Sequence, residues 1–389
     1  MPGLVVRPKA RILHGHDWVY ATEVLKTFGS PAPGDVVSLK DGRDHLLGSA
    51  IYNPASQIVA RRISRHRQDL DPDFFARRIA RAVAWRERSG CDLSLCRLVW
   101  SEADGMPGVI ADRYRDVVVL QTAALAMDNC KAMIAEELSR LDGVSHVVER
   151  NDAGSRVKEG LSPAVGALIG EAPGSRILEI AGVRFEVDFL EGHKTGLYLD
   201  QAANCRFVAE HSEGLRVLDC FSNQGGFALA CAAAGASAVT AVESGGPAAA
   251  RLRSNAELNG RAIRVIEDDV FRVLPDLARQ GETYDLVILD PPSFTKAKGR
   301  INDALRGYRE LHRLAAPLLS RDGLLATFCC SHHVPADEFL AAAASGMADA
   351  KRSAHLVARM TQPADHPVAL HIPETEYLKG FLFAARQPF

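Results

Sequence analysis

From about residue 192 onward the chain alternates short apolar runs with longer stretches of helical spacing. Val217-Leu218, Ala238-Val239-Thr240-Ala241-Val242, Leu286-Val287-Ile288-Leu289 and Leu324-Leu325-Ala326-Thr327-Phe328 read as strands. Their alternation with helices predicts a parallel sheet covered on both faces. Each run gives way to polar chemistry at its C-terminal end. The first leads through Asp219 and Phe221 into the turn Gly225-Gly226, and the second ends at Glu243. The third ends in Asp290-Pro291-Pro292-Ser293-Phe294, and the fourth in Cys329-Cys330-Ser331. Open α/β sheets bind their ligands at this end. Ala364 to Phe383 also reads as β structure, which places antiparallel strands at one edge.

The first half has a different pattern. Leu4 to Ile63 is rich in turns, with β-like runs such as Val36-Val37-Ser38-Leu39 and Gln57-Ile58-Val59-Ala60 between Gly/Pro/Asp clusters, and predicts a small β-barrel. Asp71 and Pro72 then mark the start of a helix whose Phe75, Ile79, Ala82 and Val83 share one face to about Arg88. Further expected elements are strands at Arg97–Trp100 and Val117–Leu120 and a helix from Asn129 to Leu141 with Met133, Ile134 and Leu138 inward. Strands at Val144–Glu149 and Ile177–Val187 follow. The division expected is a β-barrel over 1–67, an α+β domain over 68–190 and a Rossmann-like α/β domain over 191–389.

Composition narrows the function classes. At 389 residues the chain is long enough for two or three domains. No apolar run is long enough to cross a bilayer, so no membrane association is expected. Met1 to Arg11 carries Arg7, Lys9 and Arg11 without a long apolar core, so no signal peptide is expected. The eight cysteines show no paired metal spacing. A reduced, cytoplasmic protein without a metal is the expectation. The net charge of −2 is uneven: residues 1–67 carry +5 and the remainder −7. Arg61, Arg62, Arg65 and Arg67 make that segment either a phosphate-binding footprint or a solvated linker.

The strand ends set out a nucleoside site. Gly225 allows a tight turn at a helix start, where backbone approaches a ligand. Glu243 is placed to accept ribose hydroxyls, and Asp269 to accept a hydrogen bond from an adenine amino group. Any one acid alone would be an ordinary cap or loop carboxylate. A dinucleotide would suit the same sheet, but the rigid Asp290-Pro291-Pro292-Ser293-Phe294 loop favours a flat heterocycle. Asp290 would bond its edge and Phe294 would stack on it. Two adjacent strand cysteines point to opposite faces, so at most one of Cys329 and Cys330 enters the site. A thiol there suits methylation of a pyrimidine carbon 5, which needs prior addition of a nucleophile at carbon 6. His332 and His333 are near in sequence.

Several blocks together carry a family resemblance. They include His16-Asp17-Trp18-Val19-Tyr20, Tyr52-Asn53-Pro54-Ala55-Ser56-Gln57-Ile58, Glu102 to Gly108, and Gly192 to Gln201. Later come Asp268-Asp269-Val270-Phe271, Asp290-Pro291-Pro292, Gly307-Tyr308, Cys330-Ser331, Ala364 to Pro367 and Tyr377 to Phe381. Over essentially its whole length the chain resembles the RlmI-like large-subunit ribosomal RNA cytosine-5 methyltransferases. The resemblance implies an RNA-binding PUA domain, a central α+β domain and a class I methyltransferase domain that uses S-adenosyl-L-methionine. By position it implies Cys330 as nucleophile, Asp290 beside base and donor, and Gln201, Asp219, Glu243 and Asp269 against the donor. Phe221 and Gly225 of the first turn join the donor set. Pro291, Pro292, Phe294, Arg61 and Arg62 are the substrate side. Cys329 stands where Ser or Thr is usual.

The expectation is therefore an S-adenosylmethionine-dependent RNA cytosine-5 methyltransferase acting on 23S ribosomal RNA. One rival is an amino-group methyltransferase acting on adenine or guanine, which needs no Cys330. Another is a non-catalytic RNA-binding protein. The sequence leaves open the target nucleotide, the residue that removes the carbon 5 proton, and the oligomeric state, a homodimer included.

Overall fold

The computed structural model describes residues 1–190, 195–295 and 298–386. Gly192, His193 and Lys194 of the Gly192–Gln201 block lie outside the described residues. Two compact units divide the chain. One comprises Met1–Arg176, Val187–Leu199 and Ala364–Thr375; the other comprises Ile177–Glu186, Asp200–Pro363 and Glu376–Phe389.

The first unit begins with β1 (Gly3–Val6), β2 (Trp18–Tyr20), β3 (Val24–Phe28), β4 (Val36–Lys40), β5 (Leu46–Tyr52) and β6 (Ile58–Ser64). They form one sheet in the order β2-β6-β5-β4-β1-β3. Its inward residues, among them Leu4, Val6, Val19, Val37, Leu39 and Ala60, make a small core of their own.

Next comes α1 (Pro72–Arg88), which starts where its cap predicts: the Phe74 N–H donates to Asp71 Oδ1 at 2.7 Å. Five strands follow, β7 (Leu95–Trp100), β8 (Val109–Tyr114), β9 (Val117–Thr122), β10 (His146–Asn151) and β11 (Ala164–Ile169), in the order β11-β10-β9-β8-β7. A short helix not expected from the sequence, α2 (Leu125–Asn129), precedes α3 (Lys131–Ser139), the helix expected at Asn129–Leu141. They part at Cys130, whose φ of −99° and ψ of 5° leave helical geometry. Phe74, Phe75, Leu98, Leu120, Ile134 and Leu138 share a core with Ile51 and Ile63 from β5 and β6. The two sheets of this unit are thus joined by apolar packing.

Ala364–Thr375 completes the first unit, and it is not the strand its composition predicts. It is a loop ending in a short 3-10 turn at Pro373–Thr375. Polar contacts hold it instead of a ladder. The Arg97 N–H donates to Asp365 Oδ2 at 2.9 Å, and Arg86 donates to the Asp365 carbonyl at 2.8 Å. Glu374 takes hydrogen bonds from Arg11 at 2.8 Å and His16 at 3.0 Å.

In the second unit the expected strand Ile177–Val187 is a hairpin, β12 (Arg176–Ile180) and β13 (Val183–Val187). Ala181 and Gly182 turn it with φ of 52° and 76°, as tight hairpin turns require. Then follow α4 (Ala202–Ala209), β14 (Arg216–Cys220), α5 (Gly226–Ala233), β15 (Ala238–Val242), α6 (Gly246–Leu258), β16 (Arg264–Ile266) and α7 (Val270–Arg279). The unit closes with β17 (Tyr284–Leu289), α8 (Ile301–Ala315), β18 (Leu319–Cys329), α9 (Ala336–Asp349), β19 (Ser353–Thr361) and β20 (Lys379–Arg386). The sheet order is β16-β15-β14-β17-β18-β20-β19. The first five strands run parallel, while β20 is antiparallel to both β18 and β19. Leu218, Val287, Leu289, Leu325, Tyr308, Phe339 and Phe381 lie in its core. Strand order reverses between β14 and β17, so the ligand crevice of such a sheet opens at their C-terminal ends.

Candidate active site

The register sets the level of each functional side chain. Cys220 pairs with both Val242 and Leu289, and Leu289 pairs with Thr327. Phe221, Glu243 and Asp290 therefore leave their strands side by side. Asp290 is tied back by its N–H, which donates to the Cys220 carbonyl at 3.4 Å.

Asp219 sits one turn of the pleat below. It is buried, its Oδ2 accepts the Ala228 N–H at 3.0 Å, and its Oδ1 has no partner among the described residues. Burial pushes its pKa up to about 8, with the nearby Asp290 and Glu243 adding to the effect. A buried carboxyl oxygen without a protein partner is costly unless a ligand completes it. Glu243 is held more firmly: Oε2 accepts the Asn223 N–H at 2.8 Å and Oε1 the Gly245 N–H at 2.7 Å. Each of its oxygens retains a second lone pair for a hydroxyl donor. The loop between β14 and α5 turns through Phe221, Asn223 and Gly225, at φ of 62°, 48° and 92°. A side chain on Gly225 would be strained at that φ, and its Cβ would meet Leu229 and Leu252 at 3.0 and 3.1 Å.

Asp269 ends the stretch after β16 and caps α7, its Oδ1 accepting the Phe271 N–H at 2.8 Å. It is exposed. Gln201 is buried before α4, where its Oε1 accepts the Asn204 amide at 2.7 Å.

The two cysteines at the end of β18 differ. Cys329 is fully buried in the core with Tyr308, Val334 and Phe339. Cys330 is half-buried, and its Sγ lies 3.9 Å from the Pro291 carbonyl oxygen. A second link joins the same segments: the hydroxyls of Ser293 and Ser331 are 2.8 Å apart. Ser293 donates to the Thr295 carbonyl at 2.7 Å, so Ser331 is the donor in that pair. Both serines stand in motifs read from the sequence, but neither was assigned a role there. Pro291 is buried and Pro292 exposed at the rim. His332 turns its ring toward Tyr377, with centroids 5.5 Å apart.

Phe294 is half-buried. Its ring packs against Tyr308 at 4.6 Å and Phe271 at 6.1 Å between centroids. Gly307 makes this packing feasible, because a Cβ there would come within 3.0 Å of the ring. Phe271 in turn meets Phe221 at 6.5 Å, so an aromatic row runs from the first strand's turn to α8.

Arg61 and Arg62, read from sequence as part of a basic patch, are turned inward. Arg62 is buried, and its Nε donates to Asp17 Oδ1 at 2.7 Å. Arg61 binds Glu102 at 2.7 Å and Glu159 at 3.5 Å. Trp18 donates its indole N–H to the same Glu102 oxygen at 2.9 Å. Arg61 ties β6 to the 3-10 turns at Ser101–Asp104 and Gly154–Glu159, whereas Arg62 is held within the N-terminal module. The clustering of arginines in sequence did not show which of them had carboxylate partners.

Residues 160–384 match the S-adenosylmethionine-dependent methyltransferase family, and residues 6–65 match the PUA-like domain. The chain belongs to this methyltransferase family. Its relatives include ribosomal RNA large subunit methyltransferase I of Shewanella denitrificans, 38% identical over 94% of each chain. The protein of the same name from Tolumonas auensis is 36% identical over 96% of each. Among solved structures, SMU.776, a methyltransferase in complex with SAH, covers 99% of this chain and 100% of its own. It has a TM-score of 0.84 at 23% identity, a likeness of fold.

The methyltransferase thus depends on S-adenosylmethionine, and the strand ends fit that donor. Asp219 offers a buried oxygen without a protein partner among the described residues, and Glu243 a fixed acid at the adjoining strand end.

Proposed function

We propose that this chain methylates carbon 5 of a cytosine in 23S ribosomal RNA, with Cys330 as the nucleophile. The observation that carries the reading is the half-buried Cys330 thiol, 3.9 Å from the Pro291 carbonyl and beside the Asp290 loop. The names of the relatives support the ribosomal substrate.

Carbon 5 of cytosine is a poor nucleophile. Addition of the Cys330 thiolate at carbon 6 makes carbon 5 enamine-like and able to take up a methyl group. S-adenosylmethionine supplies that methyl as an electrophile on sulfonium. Loss of the carbon 5 proton to a base then lets the carbon–sulfur bond break and returns the thiolate. Asp290 bonds the edge of the base, and Pro291 and Pro292 shape the rim. Gln201, Asp219, Phe221, Gly225, Glu243 and Asp269 hold the donor, Glu243 through the ribose hydroxyls and Asp269 through the adenine amino group.

In this reading the chain has three domains. The PUA-like module over 1–67 handles RNA, 68–190 forms a central α+β domain, and the part from 191 carries the chemistry. The target base leaves its stack to reach the Asp290 loop. The eight free cysteines are consistent with a reducing, cytoplasmic setting.

The test is transfer of radiolabelled methyl to unmodified ribosomal RNA, followed by nucleoside analysis. The expected product is 5-methylcytidine, formed by wild type and Cys329→Ser but not by Cys330→Ala. RNA containing 5-fluorocytosine should trap the enzyme at Cys330, since fluorine cannot leave as a proton does. Normal transfer by Cys330→Ala, with an N-methylated base as product, would favour the amino-group reading.

A further inference from the structure

With Arg61 and Arg62 paired internally, the open positive charge of the first unit lies elsewhere. Arg77, Arg81, Trp85 and Arg88 all emerge on the solvent side of α1. Their spacing of four, four and three residues keeps them on one stripe, roughly 16 Å long at the rise of an α-helix. The opposite side of the helix buries Phe74, Phe75, Ile79 and Ala82 in the core. Arg65 and Arg67 are exposed in the loop before α1.

These five arginines have no carboxylate partner among the described residues. Most exposed arginines on the helices of the second unit behave differently, Arg206 on α4 being an exception. Arg272 pairs with Asp268, Arg279 with Asp276, Arg306 with Asp303, Arg309 with Asp349 and Arg313 with Glu310. The acids of the α1 stretch gather at its start, where Asp71 caps the helix and Asp73 lies in the first turn; Glu87 is the exception. Positive charge along the stripe is dense enough to act on its neighbour. Arg78 is lowered from its ordinary pKa, first by burial and then by Arg81 and Arg77.

Trp85 adds a second kind of contact. Its indole N–H donates to the Ala364 carbonyl at 3.1 Å, which fixes the plane of the ring, yet the residue is 40% exposed. The Arg88 guanidinium lies 5.3 Å from the ring centroid. Unpaired cations interleaved with a fixed aromatic ring are the means by which proteins hold single-stranded nucleic acid: charges follow the phosphates and the ring stacks a base. An anionic membrane surface is a poorer fit, because the apolar face of α1 is already buried and interfacial helices keep theirs for lipid.

We infer that the Arg77, Arg81, Trp85 and Arg88 stripe, with Arg65 and Arg67 of the preceding loop, is a binding surface for single-stranded RNA flanking the target, separate from the catalytic strand ends. The inference rests on the RNA reading given above.

The experiment uses the full chain and a fluorescein-labelled, mixed-sequence single-stranded RNA, titrated by anisotropy across a range of potassium chloride. R77A/R81A should bind about tenfold more weakly at low salt, with a salt slope shallower by roughly 1.4 for two lost phosphate contacts. Trp85→Ala should weaken binding at every salt concentration, and Trp85→Phe should keep most of it. Arg279→Ala should bind as wild type. Unchanged melting temperature and S-adenosylmethionine affinity establish that the variants are folded. If wild type methylates and binds RNA while R77A/R81A binds it equally well, the surface is wrong and the methyltransferase reading stands. A wild-type chain that neither binds RNA nor methylates it defeats both. Arginine-dependent binding to phosphatidylserine vesicles in place of RNA would overturn the choice of partner.

Discussion

Lys379 Nζ donates to the carbonyl oxygen of Ser331 at 2.7 Å, and to that of Tyr377 at 3.2 Å. Lys379 is buried at the start of β20, paired in register with Cys329. Its ammonium fixes the backbone immediately after Cys330, and burial lowers its pKa.

Replacing that ammonium should therefore disturb the thiol more than the donor site. Lys379→Met leaves two carbonyls without their donor, each a loss of about 1–3 kcal/mol when buried. The expected result is a lower melting temperature, together with a single-turnover methyl-transfer rate reduced further than donor affinity. Equal transfer rates in variant and wild type would show that the backbone beyond Cys330 holds its position without Lys379.

Asp219 gives a pH signature. With its pKa raised from 3.8 to about 8, the folded protein keeps a proton that the unfolded chain has lost. Stability should consequently fall as pH rises from about 4 to about 8. Asp219→Asn removes that slope. Its melting temperature should exceed that of wild type at pH 8 and approach it near pH 4, as measured by calorimetry in the absence of donor. Binding of the cationic donor at neutral pH should release a proton from Asp219, seen as a buffer-dependent binding enthalpy.

Glu243 is testable by affinity alone. Its carboxylate is oriented by two backbone N–H groups, so it meets a ribose with little reorganisation. Glu243→Ala should lose roughly 1.5–3 kcal/mol of S-adenosylmethionine binding, the range for a hydrogen bond to a charged group. Titration calorimetry on the folded variant decides this; an unaltered dissociation constant would remove Glu243 from the donor site.

His312 sets an acid limit. It lies fully buried between the Tyr308 carbonyl, 2.6 Å from Nδ1, and the Thr327 hydroxyl, 3.0 Å from Nε2. Burial lowers its pKa from 6.5 to about 4. The unfolded chain takes up a proton first as pH falls, so stability is lost between pH 6.5 and 4. Denaturant midpoints should fall less steeply over that interval in His312→Gln than in wild type.

What the sequence discloses here follows periodicity and punctuation. The strands ending at Cys220, Val242, Leu289 and Cys329 were legible as continuous apolar runs, and the Asp71-Pro72 signal marked the start of α1. Other features depended on distant partners. Ala364–Thr375 resembles a strand by composition, but Asp365 and Glu374 find Arg97, Arg86, Arg11 and His16, and those bonds replace a ladder. Arg61 and Arg77 are equally basic on the page. Only the placement of Glu102 and Glu159 distinguishes the braced guanidinium from the open one. Lys379 was visible within a family block, but its aim at the Ser331 carbonyl depends on β20 inserting between β18 and β19.

That same late segment governs the order in which the molecule can mature. Residues 364–375 belong with the opening unit, yet they leave the ribosome after nearly all of the second unit. At ordinary rates of translation the delay after residue 199 is on the order of ten to thirty seconds. Throughout that interval Arg11 and His16 lack Glu374, and Arg86 lacks the Asp365 carbonyl that helps satisfy it in the core. The part of the chain made first is completed almost last, and a premature stop before residue 375 would injure the beginning of the protein as well as its end.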